Sequence, residues 1–290
     1  MTYESIQEMI DLAEAQKIRL SKLILNDQAA SMETDKDLLL KRMDEQLAVM
    51  EESAAKGKEA GLKSTSGLTG GDAYKMLQFH KNTGSLSGDF CAAAISTALA
   101  VAEYNASMGR IVAAPTAGSC GILPAAVLSM MEYRHTSRQD ACMALVLAGG
   151  VGMVIANVAS IAGATGGCQA ECGSAAAMAA AALVELNGGT PEMAGHAMAI
   201  SIKNQLGLVC DPVAGLVEVP CIKRNAGSIM CAIMAADLAL AGIKSVIPID
   251  EVLSAMNEVG STLPCALRET AQGGLATTPT GLKLSEKLLG

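Results

Sequence analysis

The sequence predicts an all-α fold, and three observations carry that prediction. Apolar residues make up 51% of the chain and recur in long Ala-rich runs with helical spacing. Gly and Pro cluster between those runs, and no segment shows the alternating β-branched pattern of a strand. No repeat of fixed period competes with this reading. Aromatic residues account for 2% and Trp is absent, so a 290-residue chain must build its core from Ala, Val, Ile, Leu and Met. Such small side chains favour close helix packing.

Charge divides the chain. Residues 1–60 carry 21 of the 50 charged side chains and the other 230 residues carry 29, so the first fifth is largely solvated and the rest mostly interior. A boundary near Gly61 follows, with a charged N-terminal helical segment over 1–61 and an Ala/Gly-rich buried helical domain over 62–290. In the first part, Ile6, Met9, Ile10, Ala13, Ile18, Leu20 and Leu23 fall on one amphipathic helix. Residues 34–37 have the form of a capping start for a second helix reaching about Ala55.

Residues 63–72, rich in Gly, Ser and Thr, read as a flexible loop. Backbone N–H groups of such a loop can cradle an anion, but the spacing is neither that of a P-loop nor that of a dinucleotide fingerprint. Helices are predicted over 89–107, 122–134, 138–162, 171–187, 191–205 and 226–243, with shorter pieces after Asp250. The start at 191 is the best marked, with Thr190 as N-cap and Pro191 at the first helical position. Residues 141–170 contain no charge and exceed the ~20 residues of a membrane span. Six glycines and Asn157, without aromatic belts or a flanking basic cluster, favour a buried central helix instead.

A net charge of −8 and the absence of any Lys/Arg-rich block argue against nucleic-acid or anionic-lipid partners. The nine cysteines are an odd number, and Glu4 and Glu8 stand where a secretory signal would be basic. A cytoplasmic, reducing setting is therefore expected, where cysteines serve as ligands, catalysts or small core residues. Cys91, Cys142 and Cys231 lie in apolar helical runs and read as core fillers, as does Cys265 after Pro264. Cys120, Cys168, Cys172, Cys210 and Cys221 lie in or beside Gly/Pro-rich loops. Thiolates there can take an iron–sulfur cluster, zinc or copper(I), and Pro212, Gly215 and Pro220 would turn the connector so that distant sulfurs converge. Cys168 and Cys172 are four apart and would share one face of a helix that began at Cys168.

Several motifs together resemble a known family. They are Ala114-Pro115-Thr116-Ala117-Gly118-Ser119-Cys120-Gly121, Gly167-Cys168-Gln169-Ala170-Glu171, Val209-Cys210-Asp211-Pro212 and Val219-Pro220-Cys221-Ile222-Lys223-Arg224-Asn225. Asn105, Gly109-Arg110 and the late Arg268-Glu269-Thr270 extend the match, which runs from about Leu62 to Ala276. These resemble the iron–sulfur L-serine dehydratases, most closely the alpha chain of the two-chain form. The resemblance implies a lyase that converts L-serine to pyruvate and ammonia. It implies a [4Fe–4S] cluster on Cys168, Cys210 and Cys221 with one iron open, Cys172 standing where the motif demands no cysteine. No pyridoxal phosphate is expected. The Pro115 loop, with Cys120, is expected to line the substrate pocket.

Thr116, Gly118, Ser119 and Gly121, with Arg224, are candidate donors to the substrate carboxylate, and Glu171 is the candidate base for the Cα proton. His80, His135 and His196 lie outside the motifs and read as structural. One-chain members carry a preceding domain with a Ser-His-rich motif that is absent here, so a separate beta chain is expected, with any higher oligomer left open. Some one-chain members also end in a cysteine-bearing tail, whereas this chain continues without one. Three rivals remain. A pyridoxal-phosphate lyase would use Lys63 as Schiff-base lysine, against which the missing strand pattern counts. An electron-transfer module would recruit Cys120 or Cys172 as fourth ligand. A cluster enzyme that removes sulfide from cysteine is separable only by substrate kinetics.

Overall fold

A computed structural model describes residues 3–290 as thirteen α-helices joined by loops and short 3₁₀ and π turns, with no strand among those residues. Lys17 decides how the chain starts. Its backbone turns left-handed, φ 55°, and its N–H bonds the carbonyls of Ala13 and Glu14. The apolar pattern from Ile6 to Leu23 therefore forms two helices, α1 (Ile6–Gln16) and α2 (Leu20–Ser31), where one was predicted. Asp35 starts α3 (Lys36–Gly57) by accepting the Asp37 N–H.

Next comes α4 (Asp72–Thr83), a helix the apolar pattern did not predict because only Ala73 on it is buried. Its first turn is held by the buried carboxylate of Glu103, which accepts from the N–H groups of Asp72 and Ala73 at 2.9 and 3.2 Å. That fixes α4 to α5 (Gly88–Ala106), which carries Glu103 near its end. The loop before α4 is tied down too. Ser64 and Thr69 pair through the backbone at 3.0 Å, and the hydroxyls of Ser66 and Thr69 donate to Glu218 at 2.9 and 2.7 Å.

The centre is α9 (Ser174–Leu186), buried on every side from Ser174 to Glu185 and packed by α6 (Ile122–Arg134), α7 (Arg138–Val158), α10 (Pro191–Lys203) and α11 (Cys221–Leu240). A helix hydrophobic all round belongs in a core, and its Ala content lets four neighbours approach. Helix α7 is long and apolar enough to cross a membrane by length and composition, yet 67% of its most apolar window is buried against the fold, on α2, α3 and α9. It ends at Val158, short of the predicted 162, because Ala159 is extended. Thr190 caps α10 on the Met193 N–H with Pro191 at the first position, as the sequence predicts.

After α7 come the short α8 (Gly163–Gly166) and a π turn over Gln169–Gly173, so the helix predicted from 171 begins at Ser174. Helix α11 begins at Cys221, five residues before the predicted start. Two further helices, α12 (Ile249–Thr262) and α13 (Pro279–Leu289), close the chain. The stretch between them crosses the connector that links α10 to α11.

Candidate active site

Three of the cysteines singled out by the sequence come from three separate elements. Cys168 stands between α8 and the π turn. Its neighbour Gln169 fixes the backbone there by donating its N–H to Leu208 O and its side-chain amide to Met256 O, and by accepting from Gly207 N–H, each at 2.9 Å. Cys172, one π turn on, brings its sulfur to 3.4 Å from that of Cys168. The sulfur–sulfur contact with Cys172 holds the Cys168 thiol below its ordinary range despite burial, while the same contact and burial drive Cys172 up.

Cys210 is held by the backbone on both sides. Its N–H donates to Leu267 O at 2.9 Å and its carbonyl accepts from Glu269 N–H at 2.8 Å, an isolated parallel bridge to the α12–α13 segment. Burial pushes its thiol up, with the charges of Cys168, Glu171, Glu269 and Cys221 adding. Cys221 opens α11, and burial pushes its thiol up to about 12, with Cys168 and Glu171 again contributing. All three thiols are free and within reach of one another's charge. Among the described residues no group of three or more His, Cys, Asp or Glu side chains is arranged to hold a single metal ion.

Glu171 lies against them. A Cβ added to Gly163 would meet its Oε2 at 2.6 Å and Cys210 Sγ at 3.1 Å, and one added to Gly118 would meet its Oε1 at 3.0 Å. The carboxylate is wedged between two glycines because nothing larger leaves it room. Thr116 donates its hydroxyl to Oε1 at 2.7 Å and sits 3.2 Å from the Ser119 hydroxyl. Burial raises the proton affinity of Glu171, and the Thr116 bond partly opposes it.

Arg224 uses its fork on the connector, donating to Val209 O at 2.7 Å and to Asp211 Oδ1 at 2.8 Å. Asp211 in turn accepts the Leu275 N–H at 2.8 Å. Asn225 bridges the Pro115 loop and α11: its amide donates to Gly118 O at 2.7 Å and Cys221 O at 3.0 Å, and its Oδ1 accepts the Gly121 N–H at 2.8 Å. Cys120, fully buried, packs with Ala54 and Val101 instead of facing the other thiols.

Comparison with known proteins bears on this arrangement. Residues 15–276 match the family model of the serine dehydratase alpha chain. The chain belongs to the serine dehydratase alpha chain family. A probable L-serine dehydratase alpha chain of Bacillus subtilis is 50% identical over 288 residues, spanning 99% of this chain and 96% of that protein. The L-serine dehydratase alpha chain of Peptoniphilus asaccharolyticus is 45% identical over 283 residues, 98% and 97% of the two chains. L-serine dehydratase 1 of Escherichia coli is 45% identical over 181 residues, which are 62% of this chain but 40% of that protein.

Within this family member, sequence reasoning missed the residues that brace the site. Asn225 was legible as the end of the Cys221 motif but without a role; it stands four positions past Cys221, the spacing that lets it reach the Cys221 carbonyl. Asp211 and Glu218 lie on the connector, and their tertiary partners Leu275, Ser66 and Thr69 are too distant in sequence to be paired by any local pattern.

Proposed function

We propose that this chain is the alpha chain of an iron–sulfur L-serine dehydratase, a cytoplasmic lyase that joins a separate beta chain to convert L-serine to pyruvate and ammonia. One observation carries the reading. Cys168, Cys210 and Cys221, free thiols of three separate elements, lie within reach of one another's charge and of Glu171. The naming of relatives 50% and 45% identical as L-serine dehydratase alpha chains supports both the substrate and the partner.

The donor set fits a [4Fe–4S] cluster. Soft thiolates select such centres. Burial disfavours bare thiolates at Cys210 and Cys221, and bonding to iron would remove that cost. Gly163 leaves open space where a side chain would press on Cys210 Sγ. When bound by three cysteines, a cluster supplies an iron with an open position, a Lewis acid for a departing hydroxyl.

The chain's own residues would hold the substrate and move its proton. Gly118 and Ser119 offer backbone and hydroxyl donors for the carboxylate at one turn, beside Thr116, whose own hydroxyl proton goes to Glu171. Gly121 donates its N–H to Asn225, while Arg224 spends two of its N–H groups on Val209 and Asp211 and keeps others for the carboxylate. Glu171 would take the Cα proton, and its raised proton affinity moves it toward the working pH, where a general base is most effective. Loss of water gives an aminoacrylate that rearranges to an imine and hydrolyses to pyruvate and ammonia.

The test is oxygen-free purification of both chains together, with iron and sulfide analysis and a serine-to-pyruvate assay. About four irons per alpha chain with turnover is the expected result. A colourless preparation that turns serine over would overturn the proposal.

A further inference from the structure

The segment between α12 and α13 is built around Glu269. On one side Arg268 donates to Leu263 O at 2.8 Å and to Ser261 O. On the other, Thr270 donates its hydroxyl to Cys265 O at 3.0 Å. Both flanking side chains are thereby anchored to the end of α12 and the turn beyond it. Between them, the Glu269 N–H is pinned to Cys210 O at 2.8 Å. The Glu269 backbone is left-handed, φ 64°, as is that of Ala271, φ 56°. A non-glycine residue held there is strained, and such strain persists where the surroundings over-determine it, commonly at functional sites.

The carboxylate itself is exposed, and it takes part in none of the ion pairs formed among the described residues. The other carboxylates around the site already accept hydrogen bonds, Asp211 and Glu103 through both oxygens and Glu218 and Glu171 through one. Asp211 serves Arg224 and Leu275 N–H, Glu218 serves Ser66 and Thr69, Glu103 serves two backbone N–H groups of α4, and Glu171 serves Thr116.

An α-amino acid brings two charges. The Thr116–Ser119 turn offers donors for its carboxylate, but an ammonium needs an acceptor, and a charged one for strength. Resting on the proposed serine chemistry, we infer that the Glu269 carboxylate, pinned through its backbone to Cys210, accepts from the substrate's α-ammonium and selects α-amino acids over hydroxy acids that lack the amine. The hydrogen bond to Cys210 fixes the Glu269 backbone before substrate arrives, so that part of the ordering cost of binding is already met.

The test uses the oxygen-free two-chain enzyme, wild type and Glu269→Gln, with two ligands that differ by the amine. KM is measured for L-serine, and a dissociation constant is measured by calorimetry for 3-hydroxypropanoate. The variant is expected to raise the KM for serine by about tenfold or more, the size of a lost hydrogen bond between charged groups. Its affinity for 3-hydroxypropanoate and its iron content should match the wild type. Should Gln lower the yield of folded enzyme, Glu269→Gly relieves the left-handed strain and gives the same comparison. An unmoved KM, or an equal loss for both ligands, overturns the inference while wild-type turnover leaves the dehydratase reading standing. A wild-type enzyme that does not turn serine over sinks both.

Discussion

Thr116 donates its hydroxyl to Glu171 across 2.7 Å, and this one bond joins the Pro115 loop to the π turn that follows Cys168. Because it favours the ionised carboxylate, it restrains a proton affinity that burial has raised. Thr116→Val should therefore raise the Glu171 pKa further. As a base, Glu171 acts only when ionised, so activity is lost as pH falls through its folded-state pKa. The acid limb of the kcat/KM profile should move to higher pH in the variant. A limb that stays in place would remove Glu171 from the proton transfer.

The thiols separate under substitution. Cys168→Ala, Cys210→Ala and Cys221→Ala should each lose iron and activity together, because each removes a bond to iron. Cys172→Ala should keep its cluster without oxygen and lose about 1 kcal/mol of stability, as expected for a small buried side chain. Iron content per chain decides the matter. Retention in Cys221→Ala with loss in Cys172→Ala would reassign the ligands.

Oxygen should act on iron before it acts on the fold. Aeration is expected to bleach the two-chain enzyme and abolish turnover, and ferrous iron with a thiol should restore both. Full activity after prolonged aeration would contradict an open iron.

Asn225 gives a structural test free of the chemistry. Asn225→Ala removes three hydrogen bonds and leaves the Gly121 N–H without its partner, so unfolding free energy should fall by about 1–3 kcal/mol. Asn225→Asp should not rescue it, because a carboxylate oxygen would then face the carbonyls of Gly118 and Cys221. Denaturant melts of the three proteins at one pH would show whether the aspartate variant recovers.

Glu103 predicts a pH dependence of stability. Burial raises its folded-state pKa above the ordinary carboxylate value. Its contribution is therefore full below that ordinary value and is lost as pH rises through the raised one. Relative to Glu103→Gln, the wild type should lose stability across that window, at most about 1.4 kcal/mol per unit of pH. Parallel stability curves for the two proteins would contradict the assignment.

The helical fold was legible because periodic apolar runs and a capping signal such as Thr190-Pro191 are local. Helix α4 was not, since its buried surface is little more than Ala73 and its start depends on Glu103, about thirty residues away. The break at Lys17 was hidden for a related reason: the apolar positions continue in phase through it, and the left-handed turn there uses no Gly or Pro. At the site, the spacing of Cys168 and Cys172 foretold neighbouring sulfurs, although a π turn and not an α-helix carries them. The braces Asn225, Asp211 and Glu218 escaped because each acts through a residue that only the tertiary fold brings near.

The pin on Cys210 has a consequence for biosynthesis. Its backbone partners are Leu267 and Glu269, whereas Cys168 precedes them by about a hundred residues. A ribosome releases the chain from the N-terminal end, so α7, α9 and α10 can pack while Cys210 still has no partner. The backbone of Cys210 thus stays without these partners until late in translation, and the α12–α13 segment is the last piece to set it.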